Sequence, residues 1–217
     1  MSKNHVEKIK CKKCGKESDY LVWDIMDTNI DPQMKEQIRS GDAFRWHCPH
    51  CDNNSLIFYP TIYHQVSDKY LLCYVPGDPT TAEKCMRDLE KDPGDSGYTF
   101  DSSFTKRVVY DMNQLREKLV ILDEGLDDRV IELMKIFIAA NVFKHKPEHQ
   151  IVDFLFHTDE NGERSFAIRF DNESWGSAAF VKSSYDQIAE QFKNILEKND
   201  EFIIDSEWAL NTVNKEI

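Results

Sequence analysis

Two short cysteine pairs constrain the fold of this 217-residue chain more than any other feature. The sequence reads C-K-K-C at residues 11–14 and C-P-H-C at residues 48–51. Each C-x-x-C turn directs two thiolates at one point, and two such turns supply the four soft ligands of a closed tetrahedral zinc site with Zn–S distances of about 2.3 Å. Each pair therefore needs the other, and residues 15–47 must fold back to bring the two turns together.

An alternative interpretation makes each pair an independent redox dithiol. In thioredoxin-like motifs a helix N-terminus follows the nucleophilic cysteine, and neither pair here opens a helical pattern. The paired spacing favours the metal. We therefore predict one structural zinc ion per chain, bound by Cys11, Cys14, Cys48 and Cys51.

The residues around the pairs fit this prediction. We call each C-x-x-C turn, at residues 11–14 and 48–51, a knuckle. Each knuckle needs a residue that tolerates positive φ after its second cysteine. Gly15 fills that role in the first knuckle, and Asp52-Asn53 is a weaker substitute in the second. With four cysteines present, His47 and His50 are expected to be bystanders.

Charge restricts the partners of the chain. The formal net charge is −12, which disfavours general binding to phosphate backbones. Four thiolates around one dication leave two negative charges, which the lysines near the first pair can offset. A small nucleic-acid patch is the alternative interpretation of this group, which comprises Lys10, Lys12, Lys13 and Lys16.

Neither a secretory signal nor a membrane span is visible. The first ten residues contain no apolar core, and the most apolar run is interrupted by Glu132 and Lys135. We therefore expect a cytoplasmic protein that does not enter a membrane. In a reducing compartment, paired cysteines more often bind metal or do redox work than form stable disulfides.

Local patterns predict an α+β fold in three parts. Residues 1–78 read as a zinc-ribbon-like module with a small antiparallel sheet, built from L-V-W-D-I, L-I-F-Y-P-T-I-Y and Y-L-L-C-Y-V as strands. A short helix is capped by Asp31, has Pro32 at its first position and ends at Gly41. Residues 79–106 read as a connector or insert around a short charged helix.

Residues 107–217 complete the predicted fold. On each side of Gly125, apolar residues repeat with the spacing of a helix, which predicts two helices. A β-hairpin follows, with a primed turn at Asn161-Gly162. A C-terminal helix then begins at a capping box formed by Ser184 and Gln187.

The chain resembles the bacterial and archaeal CpXC family over roughly residues 10 to 138. The matching stretches are C-K-K-C-G, V-W-D, D-P, C-P-H-C and L-R-E-K-L-V-I-L-D-E-G-L-D-D-R-V-I-E-L-M-K. The resemblance implies a zinc site at the four paired cysteines and names no substrate. Lys12 stands where the family pattern has proline, which stiffens the turn without ligating metal. Residues 107–138 are still CpXC-like, whereas 139–217 match nothing in the family pattern.

An acidic cluster flanks Gly125 and consists of Asp123, Glu124, Asp127 and Asp128. Such carboxylates can hold a second metal or perform acid/base work. They also suit the start of a helix, where Asp127 serves as N-cap and Asp128 lies at the positive end of the helix dipole. The residue preferences of helix ends favour the capping role over a second metal site or a catalytic role.

The remaining chemistry-bearing residues are predicted to be structural or exposed. His145, His149 and His157 read as exposed histidines, because Pro147 disrupts any shared helical face. Cys73 lies in an apolar strand and is expected to be a buried small hydrophobe, and Cys85 is expected to be an exposed thiol.

The sequence shows none of the common nucleotide-binding, hydrolase or zincin motifs. A closed four-cysteine site also has no open position for a substrate. The leading prediction is thus a non-catalytic interaction or adaptor protein with a protein partner. The alternatives are an enzyme whose site lies in the second half or between modules, and nucleic-acid binding through the lysines of the first knuckle.

Overall fold

The fold is known from a computed structural model, which describes residues 2–91 and 103–216. The chain divides into two compact units, Met1–Leu115 and Arg116–Ile217. Helices and three sheets are present within the described ranges, which confirms the predicted α+β class. None of the helices described combines the length and apolar character that spanning a membrane requires.

The first unit is built on a five-stranded sheet with the order β1-β2-β5-β6-β7, beside a separate two-stranded ribbon of β3 and β4. The strands are β1 Lys3–Lys10, β2 Glu17–Asp27, β3 Arg45–His47, β4 Asn54–Leu56, β5 Thr61–Gln65, β6 Tyr70–Tyr74 and β7 Thr105–Val109. The helices are α1 Gln33–Ser40, α2 Pro79–Lys91 and the start of α3 Met112–Asp123.

The main sheet is mixed rather than wholly antiparallel as predicted. The pairs β1-β2 and β5-β6 are antiparallel, whereas β2-β5 and β6-β7 are parallel. Parallel neighbours require a long crossover connection. The chain between β2 and β5 carries α1 and the β3-β4 ribbon, and the chain between β6 and β7 carries α2.

Aromatic side chains tie the hairpins of the first unit to its core. The hydroxyl groups of Tyr20 and Tyr59 both donate hydrogen bonds to the Ala43 carbonyl, at 3.2 and 3.1 Å. The buried Phe44 ring lies against the rings of Tyr59 and Tyr74. Because Tyr20 belongs to β2 and Ala43 lies two residues before β3, these contacts set the positions of the two hairpins that carry the cysteine pairs.

Two local predictions for this unit need correction. The run L-I-F-Y-P-T-I-Y is split into β4 and β5, because Pro60 has no N–H for the sheet and Ile57 instead donates to the Phe44 carbonyl at 2.8 Å. No side chain caps α1, and Pro32 itself occupies its N-cap position. Gly41 ends this helix in a left-handed conformation with φ of 83°, as predicted.

The second unit combines the rest of α3 with a three-stranded antiparallel sheet of order β10-β9-β8 and four further helices. The elements are α4 Asp128–His145, β8 Ile151–Thr158, β9 Arg164–Phe170, β10 Trp175–Ala179, α5 Lys182–Gln191, α6 Lys193–Leu196 and α7 Ser206–Glu216. The predicted hairpin is present as β8 and β9, and β10 was not predicted.

Two predictions for the second unit are wrong. The hairpin does not use a two-residue primed turn, since only Gly162 of the Asn161-Gly162 pair has a positive φ. The Asp159 carboxylate accepts hydrogen bonds from the N–H groups of Asn161 and Glu163, which stabilises a longer loop. The capping box at Ser184 is also absent, because α5 already begins at Lys182 and no side chain caps it.

Helix α4 organises the core of the second unit through two faces. Val130 and Leu133 pack in one cluster with residues such as Trp208. Ile131 and Met134 pack in another, which includes the sheet residues Phe156 and Phe166. The helix therefore buries both faces, one of them against residues that precede it as well as residues that follow it in the chain.

The predicted connector at residues 79–106 lies partly outside the described residues, which omit 92–102. Its described parts are helix α2 and the beginning of β7. The boundaries 1–78, 79–106 and 107–217 stay a prediction.

Candidate metal centre

The first cysteine pair forms the tight connection between β1 and β2. The Cys11 N–H donates to the Lys16 carbonyl at 2.8 Å, and the Gly15 N–H donates to the Cys11 carbonyl at 2.9 Å. Gly15 has a φ of +72°, a conformation that glycine adopts without steric cost. This left-handed residue turns the chain back into β2 directly after the second cysteine.

The second pair repeats the same pattern between β3 and β4. The Cys48 N–H donates to the Asn53 carbonyl at 2.9 Å, and the Asp52 N–H donates to the Cys48 carbonyl at 3.2 Å. Asp52 has a φ of +55°, in the region that Asn and Asp tolerate better than most residues. Both predicted positive-φ positions, Gly15 and Asp52, are confirmed.

The two knuckles bring all four sulfur atoms together. The Sγ atoms lie within 4.8 Å of one another. The Sγ atoms of Cys11 and Cys51 lie 3.6 Å apart, and those of Cys14 and Cys48 lie 3.8 Å apart. Four sulfurs placed tetrahedrally at about 2.3 Å from a central zinc lie about 3.8 Å apart. The spacing therefore fits a tetrahedral metal ion, with two buried and two partly exposed cysteines.

Backbone donors favour a thiolate at one corner of the cluster. Hydrogen bonds from the N–H groups of Cys14 and Lys13 lower the pKa of the Cys11 thiol to about 6, against an opposing effect of burial. At Cys51 the Asn53 N–H also favours the thiolate, but burial and the three neighbouring thiols together raise its pKa to about 12. One thiolate is thus available before metal binds, and a dication would compensate the charge of the others.

The neighbouring histidines, His47 and His50, contact groups other than the four thiols. The His47 ring lies with Nδ1 2.9 Å from the Asn54 Oδ1 atom and Nε2 3.3 Å from an Asp52 carboxylate oxygen. The His50 Nε2 atom lies 3.4 Å from the Glu17 carbonyl oxygen. Both histidines are exposed.

The lysines around the first knuckle are all solvent-exposed. They place positive charge beside a cluster that would retain negative charge after binding a dication. This set comprises Lys10, Lys12, Lys13 and Lys16.

The acidic residues near Gly125 have structural partners. Glu124 accepts two hydrogen bonds from the Arg164 guanidinium, at 2.9 and 2.7 Å. Asp127 accepts a hydrogen bond from the Arg129 N–H at 2.9 Å and is the N-cap of α4, as predicted. Asp128 is buried, 3.0 Å from a lysine ammonium group.

The three histidines of the second half do not form a cluster. His145 is exposed at the end of α4, and His157 is exposed on β8. The His149 ring is partly exposed, with Nδ1 3.3 Å from an Asp171 carboxylate oxygen and Nε2 3.3 Å from the Asn172 amide nitrogen.

The environment of one cysteine was not predicted correctly from the sequence. Cys73 is buried in β6 as expected, but Cys85 is partly buried on α2 rather than fully exposed. Helix α2 packs against the sheet strands β6 and β7. Cys85 shares the spacing of an inward helix face with Ala82, Met86 and Leu89, which is the signal that would have placed it near the sheet.

One comparison with known proteins gives a match. The model of a family described as CpXC protein matches residues 9–135. No curated protein and no solved structure matches the chain. The matched residues include both cysteine pairs, helix α3 and the first half of α4.

Proposed function

The chain belongs to the CpXC family, and we propose that its paired cysteines bind one structural zinc ion. The observation that carries this proposal is the convergence of four Sγ atoms from two matching knuckles within 4.8 Å. Thiolates are soft ligands, and a tetrahedral set of four is typical of structural zinc sites. The ion would join the β1-β2 hairpin to the β3-β4 ribbon.

Elemental analysis of protein purified without added metal tests this proposal. We expect about one equivalent of zinc per chain and its loss in the Cys48→Ser variant. Cys85→Ser is the matched control, because it removes a cysteine outside the four-thiol cluster and should keep the zinc. A folded, metal-free protein with two disulfides among the four cysteines would contradict the proposal, as would a different resident metal.

The proposed role of the chain is that of a non-catalytic interaction protein. Four cysteine ligands complete a tetrahedral zinc shell, which has no position for a substrate. Within the part of the chain that the structure describes, Glu124, Asp127 and Asp128 are engaged with Arg164, Arg129 and Lys118, which favours a structural role for them.

Strand β1 offers a surface for such a partner. It is the terminal strand of the five-stranded sheet, so one edge has no neighbour among the described strands. On the adjacent face, Val6 is 61% exposed and lies opposite Leu21, which is 42% exposed. Extended peptides bind exposed sheet edges by adding a strand. Because the exposed Lys3 and Lys10 lie on β1, the proposed partner presents an extended, acidic segment.

The partner is tested by affinity enrichment from a native lysate, followed by binding of the purified protein. We expect a stoichiometric complex with the native chain that is lost when Lys3 and Lys10 are both changed to Glu. The matched control changes Lys193 and Lys198 to Glu, which are also exposed but belong to the second unit. The absence of any stoichiometric partner, or equal weakening in both double variants, would refute this mode of interaction.

The exposed lysines of the first knuckle favour nucleic-acid binding as a second candidate. The net charge of −12 opposes it, so duplex DNA is expected to bind weakly and to dissociate as salt rises. Fluorescence anisotropy at physiological salt is the measurement. Micromolar or tighter binding that is lost when the knuckle lysines Lys10, Lys12, Lys13 and Lys16 are replaced together would make this second candidate the function.

A further inference from the structure

A cavity in the second unit lies beside helices α6 and α7, far along the chain from the four-cysteine cluster. Its volume is about 420 Å³, which is within the range of pockets that bind small molecules. The residues that line it all fall between 194 and 215, in α6, in α7 and in the loop that joins them. The cavity therefore belongs entirely to one compact unit.

One wall of the cavity is a single face of α7. Trp208, Thr212 and Lys215 line the cavity, and their spacing of four and three residues places them on one side of the helix. We call these three residues the α7 face. Because a helix rises about 1.5 Å per residue, the α7 face is about 10 Å long. The Trp208 Nε1–H group donates a hydrogen bond to the Asn199 side-chain oxygen at 3.0 Å, which holds the loop against the start of this face.

Charged side chains of opposite sign lie at the two ends of the α7 face. Asp200 and Glu201 line the cavity from the loop before α7. The Asn199 amide donates to the Glu201 carbonyl at 3.5 Å, so the amide that contacts Trp208 also contacts the acidic segment. Lys215 lies in the last turn of α7. The cavity is therefore acidic near the start of the helix and basic near its end.

The formal charges that line the cavity balance each other but are not paired. The lining contains the cations Lys198 and Lys215 and the anions Asp200 and Glu201. Within residues 2–91 and 103–216, none of these four side chains has an ion-pair partner. A ligand with a single charge would face groups of like sign, whereas a ligand with both charges finds a partner for each.

The hydroxyl group of Thr212 gives a second indication of a ligand. Thr212 is 3% exposed and lines the cavity. In the part of the chain that the structure describes, its hydroxyl has no hydrogen-bond partner. Polar groups as buried as this one are nearly always hydrogen-bonded. The contents of the cavity, water or a ligand, must therefore supply the partner.

We propose that this cavity binds a small zwitterion of dipeptide size, with its ammonium group at Asp200 and Glu201 and its carboxylate at Lys215. Two residues in an extended conformation span at most about 7 Å, and the long Lys215 side chain covers the rest of the α7 face. The Thr212 hydroxyl donates a hydrogen bond to the ligand carboxylate. The partly buried Ile195, which also lines the cavity, offers an apolar surface to a ligand side chain.

The positions of these charges also suit α7 on its own. Acidic residues near the start of a helix and a lysine in its last turn both interact favourably with the helix dipole. That explanation predicts small effects on stability and no ligand. Binding experiments with matched peptides therefore separate the two interpretations.

Isothermal titration calorimetry of the full chain with glycyl-L-phenylalanine tests the proposal. We expect saturable binding of this dipeptide, one molecule per chain. The N-acetylated dipeptide lacks the ammonium group, and the C-terminal amide lacks the carboxylate. Each should bind about fivefold more weakly, which is the upper range for an exposed ion pair.

Variants of the two charged ends assign the orientation. Lys215→Met should weaken binding of the dipeptide about fivefold and leave binding of its C-terminal amide unchanged. Asp200→Asn combined with Glu201→Gln should weaken binding of the dipeptide and leave binding of the N-acetylated form unchanged. The matched controls are Lys193→Met and Glu197→Gln, which alter exposed neighbours that do not line the cavity and should change neither affinity.

A variant of the buried hydroxyl completes the set. Thr212→Val removes the hydroxyl with little change of shape and should act as Lys215→Met does, on the peptides that carry a carboxylate. Thermal unfolding of each variant confirms that it is folded before it is titrated.

Three results would overturn the proposal. One is the absence of saturable binding at millimolar dipeptide. Another is equal affinity for the dipeptide, its N-acetylated form and its amide. The third is a loss of binding in the Lys215→Met variant that the Lys193→Met control matches.

Discussion

At the scale of single residues, the second unit buries a row of alternating charges. The Lys118 ammonium group lies 3.0 Å from an Asp128 oxygen and 3.6 Å from a Glu132 oxygen. The Lys135 ammonium group lies 3.0 Å from the same Glu132 oxygen and 2.7 Å from a Glu117 oxygen. All five side chains are buried. Because a buried charge is tolerated only when it is paired and hydrogen-bonded, each member depends on its neighbours.

Replacement of Lys118 by Met should destabilise the second unit by about 3 to 5 kcal/mol. The change removes the ammonium group that lies 3.0 Å from the buried Asp128 carboxylate. It also removes the hydrogen bond from Lys118 Nζ to the Ile204 carbonyl, which is 2.6 Å long. Urea denaturation followed by the near-ultraviolet circular dichroism of the chain measures the loss.

Lys182→Met is the control for this prediction. Lys182 pairs with Asp186 on the exposed surface of α5, where such a pair contributes only about 0.3 to 0.5 kcal/mol. Equal destabilisation by the two substitutions would show that burial of the charge row has no special energetic weight.

At the scale of elements, the same knuckle is built twice on different hairpins. One lies between the long strands β1 and β2, and the other between the short strands β3 and β4. In both, the residue after the second cysteine has a positive φ, and the first cysteine makes the same two backbone hydrogen bonds. Metal affinity should therefore depend on backbone conformation at positions that do not ligate.

Gly15→Val should weaken zinc binding while leaving all four cysteines in place. A β-branched residue in the left-handed region costs roughly 1 to 2 kcal/mol, which corresponds to about a five- to thirty-fold loss of affinity. Competition with a chelator of known affinity provides the measurement. In Asp52→Gly, by contrast, affinity should be kept or increased, because glycine suits the φ of +55° at that position. Native affinity in Gly15→Val would mean that the knuckle relaxes without cost.

At the scale of the whole molecule, the stabilising groups are distributed unevenly along the chain. All four cysteines of the cluster lie within the first 51 residues, in the unit Met1–Leu115. The unit Arg116–Ile217 has two apolar clusters of its own. Loss of metal should consequently affect the two units to different extents.

Cys48→Ser should cost several kcal/mol in the first unit, because the free energy of metal binding is also folding free energy for such a site. We expect faster hydrogen exchange and early proteolysis within residues 1–60, while strands β8 and β9 stay protected. Hydrogen exchange measured by mass spectrometry follows both regions in the full chain.

Chelation of the zinc from the native protein is the matching control and should give the same exchange pattern. If the variant melts the entire chain in one transition, the two units unfold cooperatively and the expected difference between them is wrong. If it changes nothing, the four-cysteine cluster has no structural role.

Several elements were predictable because their signals are local. Gly41 ends α1 and Asp127 caps α4. Gly15 and Asp52 adopt the positive φ that each knuckle requires after its second cysteine. Each of these signals lies in the residue itself and its nearest neighbours in the chain. Strands β1 and β7 escaped prediction, since neither has the alternating apolar pattern of a half-buried strand. Strand β1 is almost wholly exposed, and its pairing with β2 is fixed by the knuckle that joins them.

The sequence by itself determined the donor set of the candidate metal centre, because two C-x-x-C turns are complete chemical half-sites whatever lies between them. It also determined the α+β class, through patterns that depend on neighbours within one turn or one strand. Only the tertiary structure decided which strands run parallel and which partners neutralise Lys118 and Lys135. These contacts join residues whose separation along the chain carries no local signal, so their selection depends on how helices pack on sheets and on the need to pair every buried charge.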